Sequence, residues 1–199
     1  MKKGLVKLSL MPQKEEYTYE DWLEMDDNEN IDLIDGVIYR RNRQYMRGEP
    51  SSRHMDIVTA LIGELYSLLK GKYKQCKIYT NPYMVKLNNK TVVHPDVLVV
   101  CDKNKRTDKG CIGAPELIIE ILSPSNAGDD LFTKYNQYRL AGVNEYWIVD
   151  PIKNLVTVHV LKNGKYNATL YSEKDILPVT ILSECEIDLN TIFAEEDPE

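Results

Sequence analysis

Two acidic side chains stand where their neighbours call for apolar ones. Glu120 lies inside Leu117-Ile118-Ile119-Glu120-Ile121-Leu122. Asp96 lies in the stretch Val92–Val100, where strand alternation would set Val92, His94, Asp96, Leu98 and Val100 on one face. Burying an ionised carboxylate without a partner costs more than ~3 kcal/mol. A chain that keeps two such groups is expected to supply a cation: a metal, an arginine or a lysine. Two carboxylates on neighbouring strands, completed by a backbone carbonyl and water, make a hard oxygen site suited to Mg²⁺ or Mn²⁺. Zinc fits less well, because no His/Cys cluster accompanies the acids. A third group follows in a predicted helix, where Leu131, Lys134, Tyr135, Tyr138 and Gly142 fall on one side. That stripe should face the sheet, so Lys134 needs a negative partner, and Glu120 and Asp96 would provide one. A lysine so placed can steady an attacking hydroxide or charge developing on phosphorus. Three plainer readings stay open. Asp96 could be a turn residue after Pro95, Glu120 could pair with Lys134 with no metal, and Lys134 could be a solvated helix lysine.

Nearby residues are weaker candidates. His54 falls in the first turn of a long predicted helix, and His94 precedes Asp96 by two residues. A lone histidine is more often structural than catalytic. Asp35 is a turn residue before Gly36, Asp32 could reach the metal, and Glu116 belongs to the sheet edge rather than the site.

The elements that must position these groups follow from periodicity and breakers. Thr18 with Asp21 three residues on predicts a capped short helix. Asp35-Gly36 between apolar flanks predicts a tight hairpin over 31–40. Ser51 or Ser52 caps a helix reaching about Lys70, with Ile57, Leu61, Leu65, Leu68 and Leu69 on one side. Lys77–Leu87 and Thr91–Cys101 read as two strands of one hairpin joined through Asn88-Asn89, and 102–113 as a loop. Glu116–Leu122 reads as a buried strand ended by Ser123-Pro124-Ser125, and about Ala127–Ala141 as a helix ended by Gly142. Three more strands are expected over Glu145–Asp150, Leu155–Leu161 and Lys165–Tyr171. This order predicts an α/β (α+β) fold, a sheet with a helix on each face.

Composition bounds the rest. The 199 residues, 43% of them hydrophobic, suit one ordinary core. We expect an N-terminal extension over 1–16, a domain over 17–194 and an acidic tail over 195–199. No apolar run approaches a membrane span, and no signal-peptide core is present. The four cysteines have no zinc spacing and are expected to be reduced thiols of a cytoplasmic protein; a Cys101–Cys111 disulfide is the less favoured alternative. The net charge of −6 argues against a surface coated for nucleic acid. Residues 1–112, however, carry +3 and residues 113–199 carry −9. Arg40, Arg41, Arg43, Arg47 and Arg53 form the densest basic stretch; it is a phosphate-facing surface or a solvated loop.

At these residues the chain resembles the Uma-two family of restriction-endonuclease-like proteins, a branch of the PD-(D/E)XK nuclease superfamily. The matching stretches are Asp32-Leu33-Ile34-Asp35-Gly36, His54, His94-Pro95-Asp96-Val97-Leu98-Val99-Val100, and Pro115 through Ser125 with its Glu120 and Ser123-Pro124-Ser125. Lys134 with Tyr138 and Gly142-Val143-Asn144-Glu145-Tyr146-Trp147-Ile148-Val149-Asp150-Pro151 complete it. The likeness runs from about Tyr17 to Phe193. It implies a central mixed sheet flanked by helices, Asp96 and Glu120 as metal ligands, and the backbone carbonyl of Ile121 as a further ligand. The superfamily's simplest pattern would put a lysine where this chain has Leu122; here the lysine looks to have moved to Lys134. Where the family commonly carries a glutamate ahead of the hairpin, this chain has the shorter Asp32. His54, Asp32 and Tyr138 are carried as supporting candidates, and Arg41, Arg43, Arg47 and Arg53 as DNA contacts.

The expected function is therefore a Mg²⁺- or Mn²⁺-dependent endonuclease hydrolysing phosphodiester bonds in DNA. The alternatives are a nuclease fold used only for binding or assembly, and a phosphoesterase acting on RNA or nucleotides. A homodimer would match the two-fold symmetry of a duplex, with the long helix or Tyr146-Trp147 as possible surfaces.

Overall fold

The computed structural model describes residues 14–25, 30–40, 52–122 and 129–194. Arg41, Arg43, Arg47, the Ser51 cap, the N-terminal extension up to residue 13 and the acidic tail lie outside the described residues, as does the side chain of Leu131.

A short helix, α1 (Tyr19–Leu23), begins at Thr18 with the expected reciprocal capping box to Asp21. It covers the strand pair β1 (Ile31–Ile34) and β2 (Val37–Arg40). Asp35 and Gly36 join these strands with φ of 52° and 79°, the left-handed pair that a two-residue hairpin needs. Trp22 is buried under α1 with Met25, Ile31, Leu33, Met84 and Val92, and its indole N–H donates to the carbonyl of Ile31 at 2.8 Å. Ile31 and Leu33 therefore point toward α1. Alternation turns Asp32 and Ile34 to the other face.

The expected hairpin over 77–101 is corrected. Each long strand is cut in two, near Pro82 and near Pro95, where a proline offers no N–H to a ladder. The pieces are β3 (Lys77–Thr80), β4 (Met84–Asn88), β5 (Thr91–Val93) and β6 (Val97–Val100), and they divide between two sheets. β4 and β5 pair through Asn88, joining β1, β2 and the short β7 (Gly110–Ile112), which breaks the predicted loop, in a sheet of order β2-β1-β5-β4-β7. β3 and β6 pair with each other in a second sheet. The predicted common face of Val92 through Val100 fails for the same reason: Val92 packs under α1, while Leu98 and Val100 join a different cluster.

The second sheet has order β11-β10-β9-β8-β6-β3. Its centre is β8 (Leu117–Ile121), every residue of which is buried, running parallel to β9 (Glu145–Asp150) and antiparallel to β6. β10 (Leu155–Lys162) and β11 (Lys165–Ser172) complete one side. Odd residues of β8 (Leu117, Ile119, Ile121) pack with Val97, Val99, Trp147 and Val149 under α2 (Ser52–Gly71) and α4 (Leu189–Phe193). Ile118, on the even side, packs with Leu98, Tyr146 and Tyr138 of α3 (Asp129–Ala141). A small pair, β12 (Ile176–Pro178) with β13 (Glu186–Asp188), closes the α2 side through Leu177 and Ile187. The mixed sheet with helices on both faces is thus as the sequence indicates.

Two further expectations are corrected. Cys76 and Cys101 are joined by a disulfide, not free, because antiparallel pairing of Lys77 with Val100 sets the two flanking residues opposite each other. Cys111 is buried and free on the other sheet, and Cys185 is free. Tyr146 and Trp147 are fully buried and offer no surface to a second copy. No helix among the described residues is long and apolar enough to cross a membrane.

Candidate active site

The site forms where β6 starts and β8 ends. Val97 pairs with Ile119, so one step further along that register sets Asp96 opposite Glu120. The backbone N–H of Ile121 donates to Asp96 Oδ2 at 2.8 Å, which anchors the carboxylate. Asp96 Oδ1 lies 3.5 Å from Nε2 of His54, in the first turn of α2. Even numbering turns Glu120 to the face that carries α3, where Lys134 and Tyr138, one helical turn apart, both reach it. Lys134 Nζ donates to Glu120 Oε1 at 3.2 Å, and the Tyr138 hydroxyl donates to the same oxygen at 2.7 Å. The Lys134 ammonium is also 3.6 Å from Asp32 Oδ2. The other oxygen of Asp32 holds His94, at 2.9 Å from Nδ1 and 3.2 Å from the backbone N–H. Five elements (β1, β8, α2, α3 and the turn before β6) thus converge on one cluster.

The cluster is short of positive charge. Lys134 lies between Asp32 and Glu120, Asp96 is met by His54, and the Glu120 and Lys134 side chains are only 8% and 5% exposed. Burial pushes the Glu120 carboxyl up to about 7; Lys134 opposes that rise and Asp96 adds to it. The hydrogen bond to Asp96 raises the His54 imidazole above its ordinary value, against the effect of burial. Burial likewise raises the Tyr138 hydroxyl, which keeps it a donor.

The donor set fits a hard divalent ion. Asp96 and Glu120 stand one step beyond the Val97–Ile119 pair of the ladder, and the N–H of Ile121 already reaches Asp96. Among the described residues no three His, Cys, Asp or Glu side chains form a metal cage, so waters would fill the remaining positions, as magnesium sites commonly allow.

The structure brings together Asp96, Glu120, Lys134, Tyr138, His54 and Asp32. It keeps Glu116 away: its carboxylate accepts from the Cys101 N–H at 2.7 Å and pairs with Lys105 at 3.2 Å. Arg53 Nη2 is engaged inside the protein, donating to Asn154 and to the carbonyl of Phe193. Sequence reasoning missed the Asp32–His94 pair, because nothing in spacing links residues 62 apart. It also missed a further buried carboxylate, Glu145, which accepts from the Trp147 indole and the Ile181 N–H on the opposite side of the sheet. The flanking Tyr146-Trp147-Ile148-Val149 run was the available signal.

No curated protein matches the chain significantly. A crystal structure described as "a putative nuclease belonging to DUF820", from Anabaena variabilis, has the same fold, with a TM-score of 0.71 over 88% of this chain and 97% of that one at 19% identity. The Uma2 family, described as "Putative restriction endonuclease", matches residues 16–190, and with nearly the whole chain covered the protein belongs to that family.

Proposed function

We propose that the protein is a divalent-metal-dependent endonuclease that hydrolyses phosphodiester bonds in DNA. The observation that carries this reading is the convergence of Asp96, Glu120 and Lys134 in one charge-deficient cluster. Asp96, Glu120 and the carbonyl of Ile121 would hold Mg²⁺ or Mn²⁺. When bound, such an ion lowers the pKa of a water and neutralises phosphate oxygens.

The chain's own residues do the remaining work. Ile121 N–H and His54 fix the two oxygens of Asp96. Tyr138 fixes Glu120 and leaves Oε2 outside the bonds to Tyr138 and Lys134. Lys134 meets the extra negative charge that builds on phosphorus during attack, in a place where little water screens it. Asp32 and His94 hold that ammonium toward the site. The test is incubation of purified protein with single-stranded, duplex and supercoiled DNA in Mg²⁺ or Mn²⁺. Cutting that is lost in Asp96→Ala and Glu120→Ala supports the reading; no cutting, or equal cutting by both variants, ends it.

A second reading is favoured by the two ion pairs of Lys134. Lys134 already pairs with Glu120 and Asp32, so the cluster could be a structural ion network in a nuclease fold used for binding or assembly. Calorimetry with Mn²⁺ separates the two, since only the first needs the metal.

A further inference from the structure

Between Glu64 and Asp96 the chain carries six lysines and no acid, in a protein whose net charge is −6. Three of those lysines, Lys70, Lys74 and Lys77, line a groove of about 790 Å³ together with Tyr66, Tyr79 and Thr80. One wall is the C-terminal half of α2. The other is β3, the outermost strand of its sheet, whose far edge has no strand partner among the described residues. The three lysines are exposed and form no salt bridge among the described residues. Tyr66 is 62% exposed on the α2 wall, whereas the Tyr79 ring turns to the α3 side of the sheet, flat against Tyr83 with ring centroids 4.0 Å apart, so that β3 contributes its edge rather than a ring.

The groove's position relates it to the carboxylate cluster. Its end at Thr80 pairs with Val97, the residue after Asp96. α2 carries His54 at the cluster and Lys70 sixteen residues on, roughly 24 Å along the helix. The groove therefore leads away from the acids along the sheet edge.

We infer that this groove holds a single-stranded nucleic acid segment flanking the reacting phosphate, with lysines on its phosphates and the Tyr66 ring on a base. The inference rests on the nuclease reading and adds the form of the substrate to it. Ammonium groups neutralise backbone phosphates regardless of sequence. An exposed ring can stack only on bases that are not already paired, which selects a single strand over a duplex. The acids of the cluster repel the strand wherever no metal or lysine offsets them, so an acid-free stretch of chain beside it is where a polyanion gains most.

The test is fluorescence anisotropy of the full chain with a labelled 30-nucleotide single strand and with the matching duplex, in chelator so that nothing is cut. The single strand should bind more tightly than the duplex. Lys70→Gln/Lys74→Gln/Lys77→Gln should weaken single-strand binding at least ten-fold and flatten the log affinity against log salt slope by about 2, from three phosphates at roughly 0.7 each. Tyr66→Ala should weaken it about five-fold or more, with little change for the duplex. Unchanged affinity and slope in the triple variant, with an unchanged thermal midpoint, overturns the inference. So does displacement of the strand by poly-glutamate at equal charge with no effect of Tyr66→Ala, which would make the groove a seat for an acidic protein segment. The two readings fail separately. Groove-dependent binding without any metal-dependent cutting sinks only the nuclease reading; cutting of single strands by the triple variant with an unaltered KM sinks only the groove.

Discussion

Replacing Glu120 with glutamine isolates the electrostatics of the cluster from any substrate. The buried carboxyl titrates near 7 rather than 4.5, chiefly because burial opposes its charged form. Between those pH values the folded protein keeps a proton that the unfolded chain has released. Stability therefore falls as pH rises from about 4.5 to 7, and the full deficit is present above 7. The gap between the two values corresponds to about 3 kcal/mol, with the attraction of Lys134 already included. Glutamine keeps a carbonyl oxygen for Tyr138 and Lys134 but puts amide N–H donors where the second carboxylate oxygen stood, and burying them offsets about 1 kcal/mol. Glu120→Gln should thus stabilise the metal-free protein by about 2 kcal/mol at pH 8 and by less than about 1 at pH 5. For a chain of this length the pH 8 gain corresponds to about 4–8 °C in Tm. Thermal unfolding followed by circular dichroism in chelator, at both pH values, reads it directly. A gain independent of pH, or a loss at pH 8, would refute the reasoning.

Four further outcomes are expected. The His54 imidazole should titrate above 6.5 by proton NMR, so its charged form stabilises the fold below 6.5 and that contribution is lost as pH rises through the raised value; Asp96→Asn should bring the value down, and no change would separate His54 from Asp96. Lys134→Met should slow DNA cleavage about 10²–10³-fold in initial-rate assays, and a loss under ten-fold would remove Lys134 from the chemistry. Tyr138→Phe removes the shortest hydrogen bond to Glu120, so the pH at which Mn²⁺ begins to bind should move upward in calorimetric titrations; an unmoved onset would show that the hydroxyl does not tune the acid. Gly110→Ala would set a Cβ 2.5 Å from the Met84 carbonyl, at the parallel β4–β7 pairing; the urea midpoint should fall by an amount equivalent to about 2 kcal/mol or more, and a silent substitution would contradict that packing.

Much of this arrangement was legible because it obeys local rules. The Thr18–Asp21 cap, the Asp35-Gly36 turn, the even-numbered face of β8 and the i, i+4 spacing of Lys134 and Tyr138 each depend on residues close in sequence. Glu120 was visible because a lone acid among Leu and Ile needs a partner. What local rules cannot carry is long-range pairing. Period-two alternation ran straight through Pro95 and hid the change of sheet between Val93 and Val97. The Cys76–Cys101 disulfide depends on the register of β3 with β6, and the Asp32–His94 contact joins residues 62 positions apart. Tyr146 and Trp147 looked available as aromatic surface, yet a strand in the middle of a sheet covered on both sides buries its rings whichever way they point.

The proposed chemistry requires a divalent ion seated between Asp96 and Glu120. Anomalous scattering from crystals soaked in Mn²⁺ measures this directly. A single strong peak in contact with both carboxylates, absent from Glu120→Gln crystals, is predicted. Crystals of the parent with no peak there, and the Lys134–Glu120 pair intact, would contradict it.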